Sequence, residues 1–368
     1  MNTCFDYLSS DLRRRKESGS KMNHRFEKDL GFLTLDYGYV APFVNGNNGF
    51  GCAINQNFEC IPDAQIVVNA SLYDYESVVN VHNGVIYVGF IANCYGHFFT
   101  DGLRKLWFLK TEVAKNLILK GVELVYTSTS PLPEVAFEIF SKAVGDDVRP
   151  KYVERLTRYD MVFVPDNCFE QGAICKMYHY EWAQMIERIK DVTPRKIVNK
   201  IYLTRTGWAG HRIEVGEKGL ERVFKRMGYT IVFPEKLSFA EQIMMMQSAS
   251  SVVATESSAS HLVLFCRPQT EVIILCKSNY RNGYQELINE YADLNVTYIE
   301  AHHSSKASKK EPWEGPFYLC VTRYLEKYIG HPIVHFPYWL KISYWEYRTR
   351  FMYRCRKRIL RICSKILL

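Results

Sequence analysis

The chain has 368 residues, 47% hydrophobic and 23% charged, a globular composition that excludes disorder over most of its length. Its formal charge of +8 is not spread evenly. Residues 341–368 hold nine bases and one acid, and residues 1–28 hold seven bases against four acids, so a near-neutral body lies between basic ends.

The eleven cysteines are scattered singly, with no CxxC pair, in a chain large enough to fold without disulfides. They read as reduced thiols in a cytoplasmic setting. The start, MNTCFDYLSSDLRRRKES, has no apolar core after its charges, and no stretch approaches 18 uncharged apolar residues. Neither a standard secretion signal nor a membrane span is expected.

After the basic segment 1–28, a first α/β domain is expected over 29–192. GVIYVGF (84–90) predicts a strand, an apolar helix follows from about Tyr95 to Ala114, and VELVYTS (122–128) predicts another strand. Pro133 to Val144 has helical spacing with proline at its start, MVFVPD (161–166) is strand-like, and a helix is expected around Tyr178 to Lys190. The polar DVTPRKIVNK around Pro194 is the linker candidate.

The clearest pattern lies in 193–312, where β-branched runs alternate with helical ones as in stacked βαβ units. KIYLTR, YTIVFP, SVVAT, EVIILC and VTYIE predict five strands. Between them, helices are expected over Glu217 to Met227, from Ser238 to about Ala249, over Ser257 to Phe265 and over Tyr284 to Asp293. Gly228 is a C-cap candidate, and Ser238 with Glu241 makes a capping box. This half should be doubly wound and bind ligand at the carboxyl ends of its strands. HHSSKASKKEP (302–312) predicts a surface loop. In 313–340, Pro316 to Ile329 predicts a helix returning toward the first domain. In 341–368, Trp345, Met352, Cys355, Ile359, Ile362 and Ile366 share one helical stripe among the arginines, the pattern of an amphipathic helix on an anionic membrane surface, with a terminal helix docked on its own domain as the alternative.

Three clusters could carry chemistry. In Asn93-Cys94-Tyr95-Gly96-His97-Phe98-Phe99-Thr100-Asp101, His97 and Asp101 are four apart and share a helix face, so either could take a proton from a hydroxyl nucleophile. An ordinary helix pair beside a strand-end Asn93 is the alternative. Arg205 just past a strand and Arg212 beyond TGWAGH are placed to hold a diphosphate, or to be solvated loop arginines; Trp208 between them is a stacking candidate. In VVATESSASHLVLFCRP, Ser257 and Ser258 open a helix start that presents N–H groups to an anion, or simply cap it, and Glu256 suits ribose hydroxyls. No P-loop, GxGxxG, HExxH or zinc-type spacing is present, so no metal site is expected, and no nucleic-acid reader motif accompanies the basic ends.

Together these segments resemble glycosyltransferase family 61 between about Asn93 and Leu275. Asn93, His97 and Asp101, followed by Leu103 and Leu106, are similar to the family's first helix. KIYLTR with Arg212, Ile213 and Glu217 matches its Arg-to-Glu stretch, with Gly216 where Asn is usual. FPEKLSFAEQIMMMQSASSVVA, including Gln242, and Ala254 to Pro268 follow its later motifs, with Ala254, Glu256, Ser257 and Gln269 at positions of Gly, His, Gly and Gly. The resemblance implies a GT-B arrangement of two Rossmann-like domains facing across a cleft. It also implies an inverting, metal-independent sugar transfer from a nucleotide-sugar, a substrate rather than a cofactor, to a glycan or lipid-linked acceptor in surface polysaccharide synthesis; the scattered cysteines and the basic end 341–368 add the expectation of a cytoplasmic protein held at the inner face of the cell membrane. On it, His97 or Asp101 is the base, Asn93 lies on the acceptor side, and Arg205, Arg212, Gln242, Glu256, Ser257 and Ser258 bind the donor. Pyruvyl transfer to a glycan, or an inactive glycan- or partner-binding scaffold, are the alternatives.

Overall fold

The structure, a computed structural model, describes residues 2–20, 24–44, 51–61, 70–93, 95–171, 176–192, 199–207, 214–303 and 317–333, with Tyr344, Tyr347 and Arg348. The residues around Pro194, the stretch containing Trp208 and Arg212, most of the 302–312 loop and nearly all of 341–368 lie outside the described residues.

The basic N-terminal segment is built into the fold. Strand β1 (Asn2–Tyr7) runs into helix α1 (Ser10–Ser20), whose inner face carries Leu12 and the fully buried Lys16. Arg13 pairs with Glu17 and Asp6, and Arg15 with Asp11, so these basic side chains are neutralised locally.

The first sheet contains β2 (Phe32–Asp36), β3 (Tyr39–Ala41), β4 (Cys52–Ile54), β5 (Cys60–Ile61), β6 (Val79–Phe90), β7 (Glu123–Thr127), β8 (Lys151–Tyr152) and β9 (Thr157–Pro165). Its order is β5-β4-β3-β9-β6-β7-β8, with β2 also on β9. β9, β6, β7 and β8 are parallel neighbours, while β2, β3, β4 and β5 are antiparallel. The expected Rossmann-like character is therefore confined to the four-strand parallel part. β6 is buried on both faces from Val85 onward, as a central parallel strand must be.

The predicted helix from Tyr95 to Ala114 is not continuous. It divides into α2 (Tyr95–Phe98), 3-10 turns at Asp101–Leu103 and Leu106–Lys110, and α3 (Glu112–Leu119). Phe98, Phe99, Leu103, Leu106, Trp107, Phe108 and Leu109 are all buried. A straight helix can bury only one stripe; breaking it lets every one of these side chains reach the core, and Gly96, Gly102 and the extended N-cap Thr111 make the breaks inexpensive.

After α4 (Glu134–Val144), the hairpin β10 (Phe169–Gln171) and β11 (Lys176–Tyr178), and α5 (Tyr180–Lys190), the second sheet begins. It combines β12 (Lys200–Leu203), β14 (Thr230–Val232), β15 (Ser251–Thr255), β16 (Glu271–Cys276) and β17 (Asn295–Glu300), the five predicted strands, with β13 (Glu214–Val215) lying apart from it. β1 adds a sixth strand at the edge, giving the all-parallel order β1-β17-β16-β15-β12-β14. Helices α6 (Glu217–Arg226), α7 (Phe239–Ser248) and α8 (Gly283–Tyr291) fall where predicted, and the Ser238–Glu241 capping box is formed. Ser258–Phe265 is helical but of the 3-10 type.

β13 pairs with β18 (Phe317–Tyr318). The last described helix, α9 (Arg323–Ile329), does not return toward the first sheet. Leu325 and Tyr328 join the core beside β17, and Tyr328 meets Tyr7 of β1 edge-on at 5.2 Å. Burying that apolar stripe on the edge created by β1 is what draws it there. One hydrophobic core joins both sheets: Phe99 packs on Phe239 and Phe265 at 5.4 and 5.0 Å.

Candidate active site at the carboxyl ends of the two sheets

Both sheets have a point where consecutive parallel strands leave in opposite directions. In the first, β7 and β8 extend one side of β6 and β9 takes the other; in the second, β14 and β15 flank β12. Such points leave a crevice beyond the strand ends. His97 follows β6, Arg205 follows β12 and Glu256 follows β15, so a described member of each cluster lies at these ends.

His97 Nδ1 is 2.9 Å from Asp101 Oδ2, with the histidine side chain 39% exposed and the aspartate 12%. The break in the helix leaves the pair intact because it falls within one turn. Burial works to raise the Asp101 carboxyl, but His97, the Arg104 guanidinium and Tyr284 together hold it below the ordinary range. Asn93 sits at the strand end, exposed, and donates from Nδ2 to Ser130 Oγ at 2.9 Å. It also edges an apolar cavity of about 140 Å³ walled by Phe98, Leu132, Pro133, Ala136 and Ile139.

The serine cluster comes directly against this pair. A Cβ added to Gly96 would stand 2.7 Å from His261 Nδ1 and 3.0 Å from Ser258 Cβ, so the absent side chain is what permits the approach. Ser257 Oγ donates to Thr255 O at 3.0 Å and its N–H to Ser260 Oγ at 3.1 Å; both groups are thus engaged within the turn. Ser258 is half-buried at the first turn of the 3-10 helix. Glu256 forms a buried ion pair with Lys16 of α1.

Arg205 reaches Glu214 Oε1 at 2.5 Å, and Lys277, the first residue after β16, reaches the same oxygen at 2.6 Å. Arg281 holds Glu286 through Nε and Nη2 at 2.8 and 2.7 Å. Cations and carboxylates therefore alternate along the strand ends. Gln242 is buried on α7 and donates to Pro234 O and Leu237 O at 2.9 and 3.2 Å, bracing the turn before its helix. Gly216 has φ +103° and abuts Leu319, leaving no room for the side chain of an Asn there.

Several residues escaped sequence reasoning. His261 is buried, and burial together with the nearby His97 pushes it down to about 4, so it is neutral at pH 7. Its Nδ1 is 3.4 Å from Gly96 O. Tyr284 donates to Asp101 Oδ2 at 2.7 Å. Lys277 could have been found from its place at a strand's carboxyl end, whereas nothing in RRRK marks Lys16 as the lysine that turns inward.

A family model described as Glycosyltransferase 61 matches residues 95–273. That stretch of the chain is similar to glycosyltransferase family 61. Its match takes in His97, Asp101, Arg205, Arg212, Gln242, Glu256, Ser257 and Ser258, and leaves out Asn93, Lys16, Lys277 and Tyr284. No curated protein matches the chain.

Proposed function

We propose that this protein is a glycosyltransferase of the family 61 type, which moves a sugar, with inversion and without a metal ion, from a nucleotide-sugar to a hydroxyl of a glycan or lipid-linked acceptor in surface polysaccharide synthesis. The observation that carries the reading is the His97–Asp101 pair seated against the Ser257–Ser260 turn at the carboxyl ends of the parallel strands. In this reading the two sheets are the halves of a GT-B enzyme. The acceptor hydroxyl gives its proton to the pair as its oxygen attacks the anomeric carbon, and the diphosphate leaves from the opposite face.

Cations on the strand ends would stabilise the departing charge: Arg205 first, with Lys277 beside it, and Arg212, which lies outside the described residues, is a further candidate for that role. Each is drawn from an existing carboxylate pairing where one is described, so donor binding exchanges Glu214 for phosphate oxygens. Ser257 and Ser258 line the same edge, Glu256 would meet the ribose once parted from Lys16, and Asn93 would face the acceptor. Gln242 acts through the turn that it braces.

A donor screen over UDP-, GDP- and CMP-sugars, with mass detection of released nucleotide, tests the class. Release from one nucleotide preferentially is expected. Asp101→Asn and His97→Ala should each slow transfer by about 10²- to 10⁴-fold with donor binding retained; normal rates in both would remove the base. A second reading, an inactive glycan-binding scaffold, is favoured by the ion pairs that occupy Arg205 and Glu256. Nucleotide release from any donor sinks it.

A further inference from the structure

We propose that Tyr284 is a positioning residue of the acceptor-activating pair: it reaches from helix α8 of the second sheet to fix Asp101 and His97, so the base is assembled only while the two sheets are docked. The inference rests on the proposed role of His97 and Asp101 and adds a residue beyond the matched 95–273 region.

Two donors converge on one carboxylate oxygen. Asp101 Oδ2 takes the Tyr284 hydroxyl at 2.7 Å and lies 2.9 Å from His97 Nδ1. Oδ1 is buried with no hydrogen-bond partner among the described residues. A carboxylate held from two sides at one oxygen cannot rotate without losing both bonds, and the half-buried His97 ring is aligned in turn. The Tyr284 ring meets His97 edge-on, with centroids 4.7 Å apart, and closes off a second direction of ring motion.

The tyrosine is itself held. Its ring is parallel to Phe169 at 6.2 Å, and the Lys176 ammonium lies 4.1 Å from its centroid. The turn into α8 is closed by Asn282, whose side chain accepts from Gln285 N at 3.3 Å. Burial and then the Asp101 charge drive the phenol far above its ordinary pKa, which keeps it a donor at any working pH. The titratable groups facing Asp101 are His97, Arg104, Tyr284 and, from the 3-10 helix, His261. Of these only Tyr284 and His261 come from the second sheet, and His261 touches the backbone of Gly96 rather than the carboxylate.

The test compares Tyr284→Phe with Tyr284→Leu. The first removes one hydroxyl and keeps the ring; the second removes both. For Tyr284→Phe, kcat should fall about 10-fold or more while KM stays within about 2-fold, because the pair is misplaced and the binding surfaces are not. Removing a donor that favours the charged carboxylate raises the proton affinity of Asp101. Its ¹³C carboxyl titration midpoint should therefore move up, and the acidic limb of kcat/KM with it. An unchanged Asp101 midpoint in Tyr284→Phe overturns the inference whatever happens to transfer. So does a Phe variant equal to the native protein beside an impaired Leu variant, the pattern of a packing role alone. Should Asp101→Asn and His97→Ala keep full activity, the assignment of the base fails separately, since the carboxyl titration needs no substrate.

Discussion

Lys16 illustrates how the environment of a single residue outweighs its sequence neighbourhood. In a run of four bases, three side chains point to solvent, and the fourth lies fully buried against Glu256 and over the Tyr298 ring at 4.8 Å. A buried charge is tolerated only when paired, because its desolvation cost is several kcal/mol. Lys16→Met leaves Glu256 without its partner and should lower stability by about 3–5 kcal/mol. Adding Glu256→Gln should restore much of that loss. Urea unfolding of the two variants measures both, and an undiminished midpoint in Lys16→Met would show the pair to be dispensable.

At the scale of elements, helix α6 begins in an unusual setting. Its first residue, Glu217, is 1% exposed and accepts the Arg205 N–H at 3.3 Å. Burial, then the neighbouring Glu214, push its carboxyl up to about 8. A folded acid with a raised pKa binds its proton more tightly than the unfolded chain does, so its contribution to stability falls as pH climbs from the ordinary 4.5 towards 8. Buried His261 has the opposite slope, since its imidazole must stay neutral and stability is lost as pH drops from 6.5 towards 4. Glu217→Gln should flatten the decline between pH 5 and 8 and leave the acid side unchanged. Chemical denaturation across that range checks it; an unaltered slope would place the titration elsewhere. Gly216 just before the helix is fixed by geometry of a different kind, a left-handed residue pressed on the Leu319 carbonyl.

At the scale of the whole molecule, the two sheets share one hydrophobic core through Phe99, Phe239 and Phe265, and the chain's start is woven into the sheet of its second half. No helix among the described residues is long and apolar enough to cross a membrane. We propose that residues 341–368, with nine bases and one acid, hold the enzyme against an anionic leaflet on the cytoplasmic side, where a lipid-linked acceptor is presented. At about 1 kcal/mol per basic residue near such a surface, the attraction suffices for reversible binding. Deleting 341–368 should abolish sedimentation with phosphatidylserine vesicles and spare nucleotide release. Vesicle binding that survives the deletion would refute the anchor.

The sequence by itself determined the parallel sheet of the second half, its helices and the Ser238 cap, because the runs are short, β-branched and separated by helical spacing, so the information is local. It also placed Asn93, His97, Asp101, Arg205 and Glu256 at strand ends, since position after a strand is readable from the same pattern. Tertiary structure alone decided that the apolar stretch from Tyr95 breaks into turns, that antiparallel strands extend the first sheet, that β1 completes the second, and that α9 packs on the edge so formed. It alone brought Lys16 to Glu256 and Tyr284 to Asp101, partners 240 and 183 residues apart. Burial and pairing at such separations depend on how two amphipathic surfaces meet, and no periodicity within either segment encodes that meeting.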